Sequence, residues 1–263
     1  MRRIALLAGI AALALLGVAQ GEVVSGGNVR VSFRGWINPE TLSRTEATPI
    51  ALHIAGTVSP IGDRRPAALE SVTVEINRHG VVTTRGLPIC PWRQLRSTTS
   101  AQALGACRDA LVGTGSFASH VDIPEQAPFP AVGRMLAFNT VSDGRPSLAA
   151  HVFGRDPVPT SQVLPMTFRR SAGGPFGSSL EVEMPKIGPD WGYVTGFSLT
   201  LERHYRHRGR VLSLLSASCP APGGIRRAPF KAARGTYHLA GGATLTRVLS
   251  GTCEVGEPSG GRG

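Results

Sequence analysis

From residue 22 onward the chain alternates apolar and polar residues in short runs separated by Gly and Pro. A period of two marks strands with one buried face. Ile50, Leu52 and Ile54 alternate with Ala51, His53 and Ala55, and Val72, Val74 and Ile76 alternate with Thr73, Glu75 and Asn77. Asn77-Arg78-His79-Gly80 follows as a tight turn, because Asn tolerates and Gly favours positive φ. It predicts a hairpin completed by residues 81–84.

Further strands are expected at 116–123 and 134–141, on either side of a proline-rich bend at 124–130. Asp143-Gly144 is a hairpin turn into 147–153. Segments 163–169 and 179–184 flank Gly173-Gly174, and 231–239 and 244–249 flank Gly241-Gly242. Over 195–206, Phe197, Leu199 and Leu201 share one face; Arg208-Gly209 then turns the chain into 211–217. One segment departs from this rhythm. Ser97-Thr98-Thr99-Ser100 clusters good helix N-caps, and Leu104, Cys107 and Leu111 then recur at helical spacing up to Gly113. A single short helix is therefore expected over about 99–111.

Ten to twelve strands with turn signals every 8–12 residues predict an all-β, antiparallel β-sandwich or barrel-like domain. The expected organisation is a signal peptide at 1–21, one β-rich domain at 22–253 and a Gly/Pro/Ser-rich disordered tail at 254–263. The leader reading rests on Arg2-Arg3, an uncharged apolar run over 4–18 and small residues at Ala19 and Gly21. That run is shorter than the ~20 residues a spanning helix needs, and no later stretch reaches that length. An uncleaved N-terminal anchor is the alternative. The implied localisation is secreted or extracytoplasmic, in the cell envelope.

Export changes the meaning of the four cysteines. Cys90, Cys107, Cys219 and Cys253 are read as disulfide-bonded, because compartments outside the cytoplasm permit such bridges. Three connectivities are open; joining Cys90 to Cys107 and Cys219 to Cys253 closes the shorter loops. No C-x-x-C spacing supports zinc.

The formal charge is +11, of which Arg2 and Arg3 supply two, leaving +9 without the leader. Lysine occurs only at 186 and 231. A GC-rich coding bias raises Arg, Gly, Ala and Pro together, and the arginines are scattered, so charge alone assigns no partner. The densest cluster is the candidate anion-binding hairpin of Arg203, Tyr205, Arg206, Arg208 and Arg210, with Tyr205 as a stacking face. It points to an anionic envelope polymer or lipid surface, with no specific nucleic acid.

No P-loop, G-x-S-x-G elbow, H-E-x-x-H or EF-hand pattern is present, so no catalytic, cofactor or metal residue is assigned. His53, His120 and His151 sit in strand patterns and read as solvent-face residues. His204 and His207, three apart on a strand, point to opposite faces. Trp191 and Tyr193 place two aromatics beside a glycine, and Glu125 and Asp190 are isolated loop acids.

Glu75-Ile76-Asn77-Arg78-His79-Gly80, Gly86-Leu87-Pro88, Cys107-Arg108, Val112-Gly113-Thr114-Gly115 and Trp191-Gly192-Tyr193-Val194-Thr195-Gly196 together resemble a set of uncharacterised exported proteins from high-GC bacteria. That resemblance implies an export signal and a β-rich body, and transfers no functional residue. The function expected is a non-catalytic binding or structural module of the cell envelope. The alternatives are a secreted hydrolase assembled only by the fold, or an open barrel carrying an apolar ligand. Oligomeric state is left open.

Overall fold

A computed structural model describes residues 22–156, 158–184 and 192–256. The first part of the chain forms β1 (Glu22–Gly26), β2 (Val29–Asn38), β3 (Thr41–Leu42), β4 (Thr48–Pro49), β5 (Ala51–Pro60), β6 (Leu69–Asn77) and β7 (Gly80–Val82). Helix α1 (Ser100–Cys107) follows, between 3-10 turns at Trp92–Gln94 and Arg108–Ala110. Then come β8 (Leu111–Val121), β9 (Phe129–Ser142), β10 (Arg145–Gly154), β11 (Thr160–Gly173), β12 (Phe176–Glu183) and β13 (Gly192–Leu201). β14 (His204–His207), β15 (Arg210–Ser213), β16 (Leu215–Ala217), β17 (Arg227–Leu239) and β18 (Thr244–Val255) complete the chain.

Thirteen strands make one sheet in the order β1-β2-β5-β13-β8-β9-β10-β11-β12-β6-β17-β18-β3. It is antiparallel throughout, except where β18 runs parallel to β3. The sheet curls into a half-barrel, and the domain is all-β. Its two ends meet. Val29, Val31 and Phe33 of β2 and Val58 of β5 pack on Val72 and Val74 of β6, Tyr237 of β17 and Leu245 and Leu249 of β18. A Cβ on Gly26 of β1 would lie 2.5 Å from Leu245 Cδ2, so β1 and β18 approach closely here and a larger residue would make the Leu245 side chain shift. The larger inward cluster includes Phe117, Met135, Ala137, Leu148, Ala150, Leu164, Leu180 and Leu199.

β9 and β10 are buried on both faces. Met135 and Ala137 point inward, while Leu136, Phe138 and Ala149 pack outward beneath Cys90, Leu95, Ala103 and Cys107. That cover is the helical segment. Thr99 caps α1 by accepting from the Gln102 amide, and the Gln102 side chain accepts from the Thr99 amide. The two bonds satisfy N–H groups that a helix start otherwise leaves unpaired. The Cys90–Cys107 disulfide ties the cover together, and Cys219–Cys253 ties a loop to β18. Two disulfides indicate an oxidising environment of the extracytoplasmic kind.

Several expectations change. α1 ends at Cys107, because a 3-10 turn leads directly into β8 at Leu111; Leu111 is a strand residue. The hairpin expected after Asn77 does not form. Both edges of β6 are taken, by β12 and β17, so β7 pairs with β16. The long strand read over 195–206 breaks at Glu202-Arg203 into β13 and β14. β18 continues through Glu254 and Val255, which the sequence reading placed in the tail. Residues 1–21 and 257–263 lie outside the described residues. Among the described residues no helix is long and apolar enough to cross a membrane.

Candidate functional site

β14 and β15 pair as a separate two-stranded ribbon, with Tyr205 opposite Leu212 and His207 opposite Arg210. Its turn places Arg208 and Gly209 at φ of 50° and 76°. Tyr205 belongs to the ribbon's attached face. Its hydroxyl donates to the carbonyls of Thr83 at 3.1 Å and Arg85 at 2.9 Å, and burial raises its pKa. It therefore anchors the ribbon, with its half-buried ring packed against the main apolar cluster. The His207 ring sits against Gly86, where a Cβ would come within 2.3 Å of Nδ1. Arg203 donates to the Asp109 carbonyl at 3.2 Å. Of the five residues in the expected cluster, Arg206, Arg208 and Arg210 remain exposed at the tip. None of these three forms an ion pair among the described residues.

The histidines are not gathered, and no group of His, Cys, Asp or Glu suited to a metal occurs among the described residues. His53 stacks on Trp36 with centroids 4.9 Å apart and hydrogen-bonds Thr200; His120 stacks on Tyr193. Both are half-buried. His151 overturns its expected placement: it is 0% exposed on β10, on the face covered by the helical segment. Its Nε2 lies 2.9 Å from the Thr98 carbonyl, 3.1 Å from Thr98 Oγ1 and 3.4 Å from Ser161 Oγ, while Nδ1 has no partner among the described residues.

A buried His beside a Ser is the arrangement a fold-assembled hydrolase needs. The proton is on the wrong nitrogen for that role. A carbonyl only accepts, so the bond to Thr98 puts hydrogen on Nε2. The nitrogen nearest Ser161 then has no free lone pair to act as base. Burial also lowers the His151 pKa, favouring the neutral ring. His151 instead fastens the 95–99 segment to the sheet. Asp190 and Trp191 lie outside the described residues, and Glu125 is an exposed turn residue at φ 67°.

A cleft of about 570 Å³ opens beside this anchor. One wall is Trp92, Arg96 and Ser97 of the helical cover. The other is Ser161, Val163 and Pro165, which alternate along β11 and so share one face, with Ser142 at the end of β9. The wall is firmly held. Cys90 donates its amide to the Asn139 carbonyl, Thr140 Oγ1 donates to the Cys90 carbonyl, and Thr98 Oγ1 donates to the Leu95 carbonyl. No sequence motif marked this cleft. Its only trace is an aromatic, Trp92, and two arginines, Arg93 and Arg96, placed between Cys90 and the N-cap of α1.

A second, smaller depression of about 350 Å³ lies where β2, β5, β13 and β8 adjoin, near the Ser32–Thr57 and Ser116–Ser198 hydroxyl pairs. No family model matches the chain, and no curated protein or solved structure matches it.

Proposed function

We propose that this chain is an exported, non-catalytic binding module of the cell envelope, and that its ligand is an anionic wall polymer. The observation that carries the reading is the ribbon tip. Arg206, Arg208 and Arg210 are exposed, without carboxylate partners among the described residues, on a ribbon fastened by Tyr205 and His207. Like charges held this close repel one another, and a polyanion relieves that repulsion while releasing its counterions. The guanidinium fork suits phosphate or carboxylate oxygens. Lipid is the weaker partner: the ribbon's exposed apolar residue is Val211, 63% exposed, which is little area to insert beside the arginines.

The other two readings lack support. The hydrolase reading meets the proton on His151 Nε2. The carrier reading needs an empty interior, whereas the inward side chains pack into two contiguous apolar clusters.

Chromatography of the oxidised protein on immobilised anionic wall polymer tests the proposal. Retention is expected to fall steeply with salt. The triple variant Arg206→Gln/Arg208→Gln/Arg210→Gln is expected to elute early. Retention without salt dependence, or an unchanged triple variant, would overturn the reading. Stronger retention on anionic lipid vesicles than on polymer would replace the polymer with lipid.

A further inference from the structure

We infer that the cleft between the helical cover and β11 is a saccharide subsite for a pyranose bearing a carboxylate. The inference rests on the envelope-binding reading for its setting, and on none of the ribbon's residues.

The cleft offers both room and mixed chemistry. Its volume of about 570 Å³ falls within the ~300–1,000 Å³ usual for small-molecule sites. Its lining is amphipathic. Trp92, Val163 and Pro165 supply apolar surface, and Ser97, Ser142 and Ser161 supply hydroxyls. Ser97 and Ser142 make no side-chain hydrogen bond among the described residues. Among the described residues, the one polar group within hydrogen-bond reach of Ser161 Oγ is His151 Nε2, whose hydrogen goes to Thr98, so the serine hydrogen is left to donate. Arg96 is the one charged residue in the lining and pairs with no carboxylate among the described residues.

Each feature narrows the ligand. A bare phosphate would leave the indole and the Val163-Pro165 floor without a role. A purely apolar ligand would bury three hydroxyls and a guanidinium without partners, at a cost of about 1–3 kcal/mol for each unsatisfied group. A pyranose meets both demands. Its axial C–H face packs on an aromatic ring, and its ring hydroxyls donate and accept at the serines. A carboxylate on the sugar answers the single arginine.

The site is also pre-formed, which reduces the ordering cost of binding. The disulfide Cys90–Cys107, the capping box of α1 and the His151–Thr98 bond fix the wall that carries Trp92, Arg96 and Ser97. His151 does not line the cleft. It is a positioning residue that holds the wall.

The test is a calorimetric or NMR titration of the oxidised full chain with methyl β-glucuronide, methyl β-glucoside and benzoate. The glucuronide is expected to bind about tenfold more tightly than the glucoside, the scale of one charge-assisted hydrogen bond. Arg96→Gln is expected to erase that difference while leaving glucoside binding intact. Ser142→Ala is expected to weaken both glycosides. Trp92→Ala removes a half-buried side chain, so its fold is checked by near-ultraviolet dichroism; a folded Trp92→Ala variant should bind neither glycoside. Equal binding of the two glycosides, binding of benzoate as tight as that of the glucuronide, or an undiminished preference in Arg96→Gln would overturn the inference. The ribbon triple variant should bind the glucuronide as the parent does. Polymer retention that persists while no glucuronide binds would sink the cleft inference and leave the ribbon reading standing. Glucuronide binding without polymer retention would do the reverse.

Discussion

At the scale of single residues, His151 decides the most. The sequence reading placed it toward solvent because strands usually expose alternate positions. The counter-signal was present: Leu148, Ala149, Ala150, His151 and Val152 form an unbroken run, the pattern of a strand covered on both faces. Tyr205 and Arg203 are partly buried where the sequence reading expects them open. Nothing local tells which side of a ribbon rests on another segment. His151 also carries a pH prediction. Its pKa is lowered in the folded chain by burial, against about 6.5 when unfolded. The unfolded chain therefore binds the proton more readily, and stability must fall as pH drops below about 6.5. The loss can reach about 1.4 kcal/mol per pH unit until the folded group itself titrates. Denaturant unfolding at pH 7.5, 6.0 and 5.0 should show this slope, and His151→Gln should flatten it. Glu75 belongs to a lower window. Its hydrogen bond to Arg234 holds it below the usual carboxylate range, so its contribution is lost only below about pH 4.5.

At the scale of elements, local turn chemistry was legible and pairing at a distance was not. Asp143 and Gly144, at φ of 50° and 71°, make the hairpin their sequence announces. Gly174, Arg208, Gly209, Gly241 and Gly242 also take positive φ at their turns. The turn after Asn77 carried the same kind of signal, but the competing edges of β12 and β17 prevailed. The helix N-terminus was legible because its capping residues act locally; its end was set by the start of β8. The glycines of β8 show a constraint that sequence alone could not place. A Cβ on Gly115 would lie 1.9 Å from the Ser198 carbonyl oxygen of β13. The obstacle is backbone, so a side chain cannot swing aside. Gly115→Ala should therefore destabilise by about 3 kcal/mol or more, through separation of β8 from β13. The check is the denaturation midpoint, with protection of the Thr200 and Leu199 amides in hydrogen exchange.

At the scale of the whole molecule, the all-β class was legible because the period of two persists along the chain. The barrel-like form was legible only as one of two alternatives, since the choice between it and a sandwich depends on which strands meet across the sequence. The disulfides close the structure at two scales. With separations of 17 and 34 residues, chain-entropy arguments assign about 3 kcal/mol to Cys90–Cys107 and about 4 kcal/mol to Cys219–Cys253. The double variants Cys90→Ala/Cys107→Ala and Cys219→Ala/Cys253→Ala should lower the unfolding free energy in that order of size. A larger loss for the first pair would indicate that the helical cover contributes more than its loop length.

The strand order also bears on how the protein comes into being. β5 waits for β13, and β6 waits for β12 and β17. Ile54 meets Leu199, and Val74 meets Gly235. A ribosome or translocon delivers β5 and β6 long before those partners, so their backbone edges stay open during delivery. Open edges recruit other chains, and pairings this distant close slowly. Maturation of this chain is thus a race between completing its own sheet and sharing an edge with a neighbour, which a holdase at the exit site would tilt toward the native fold.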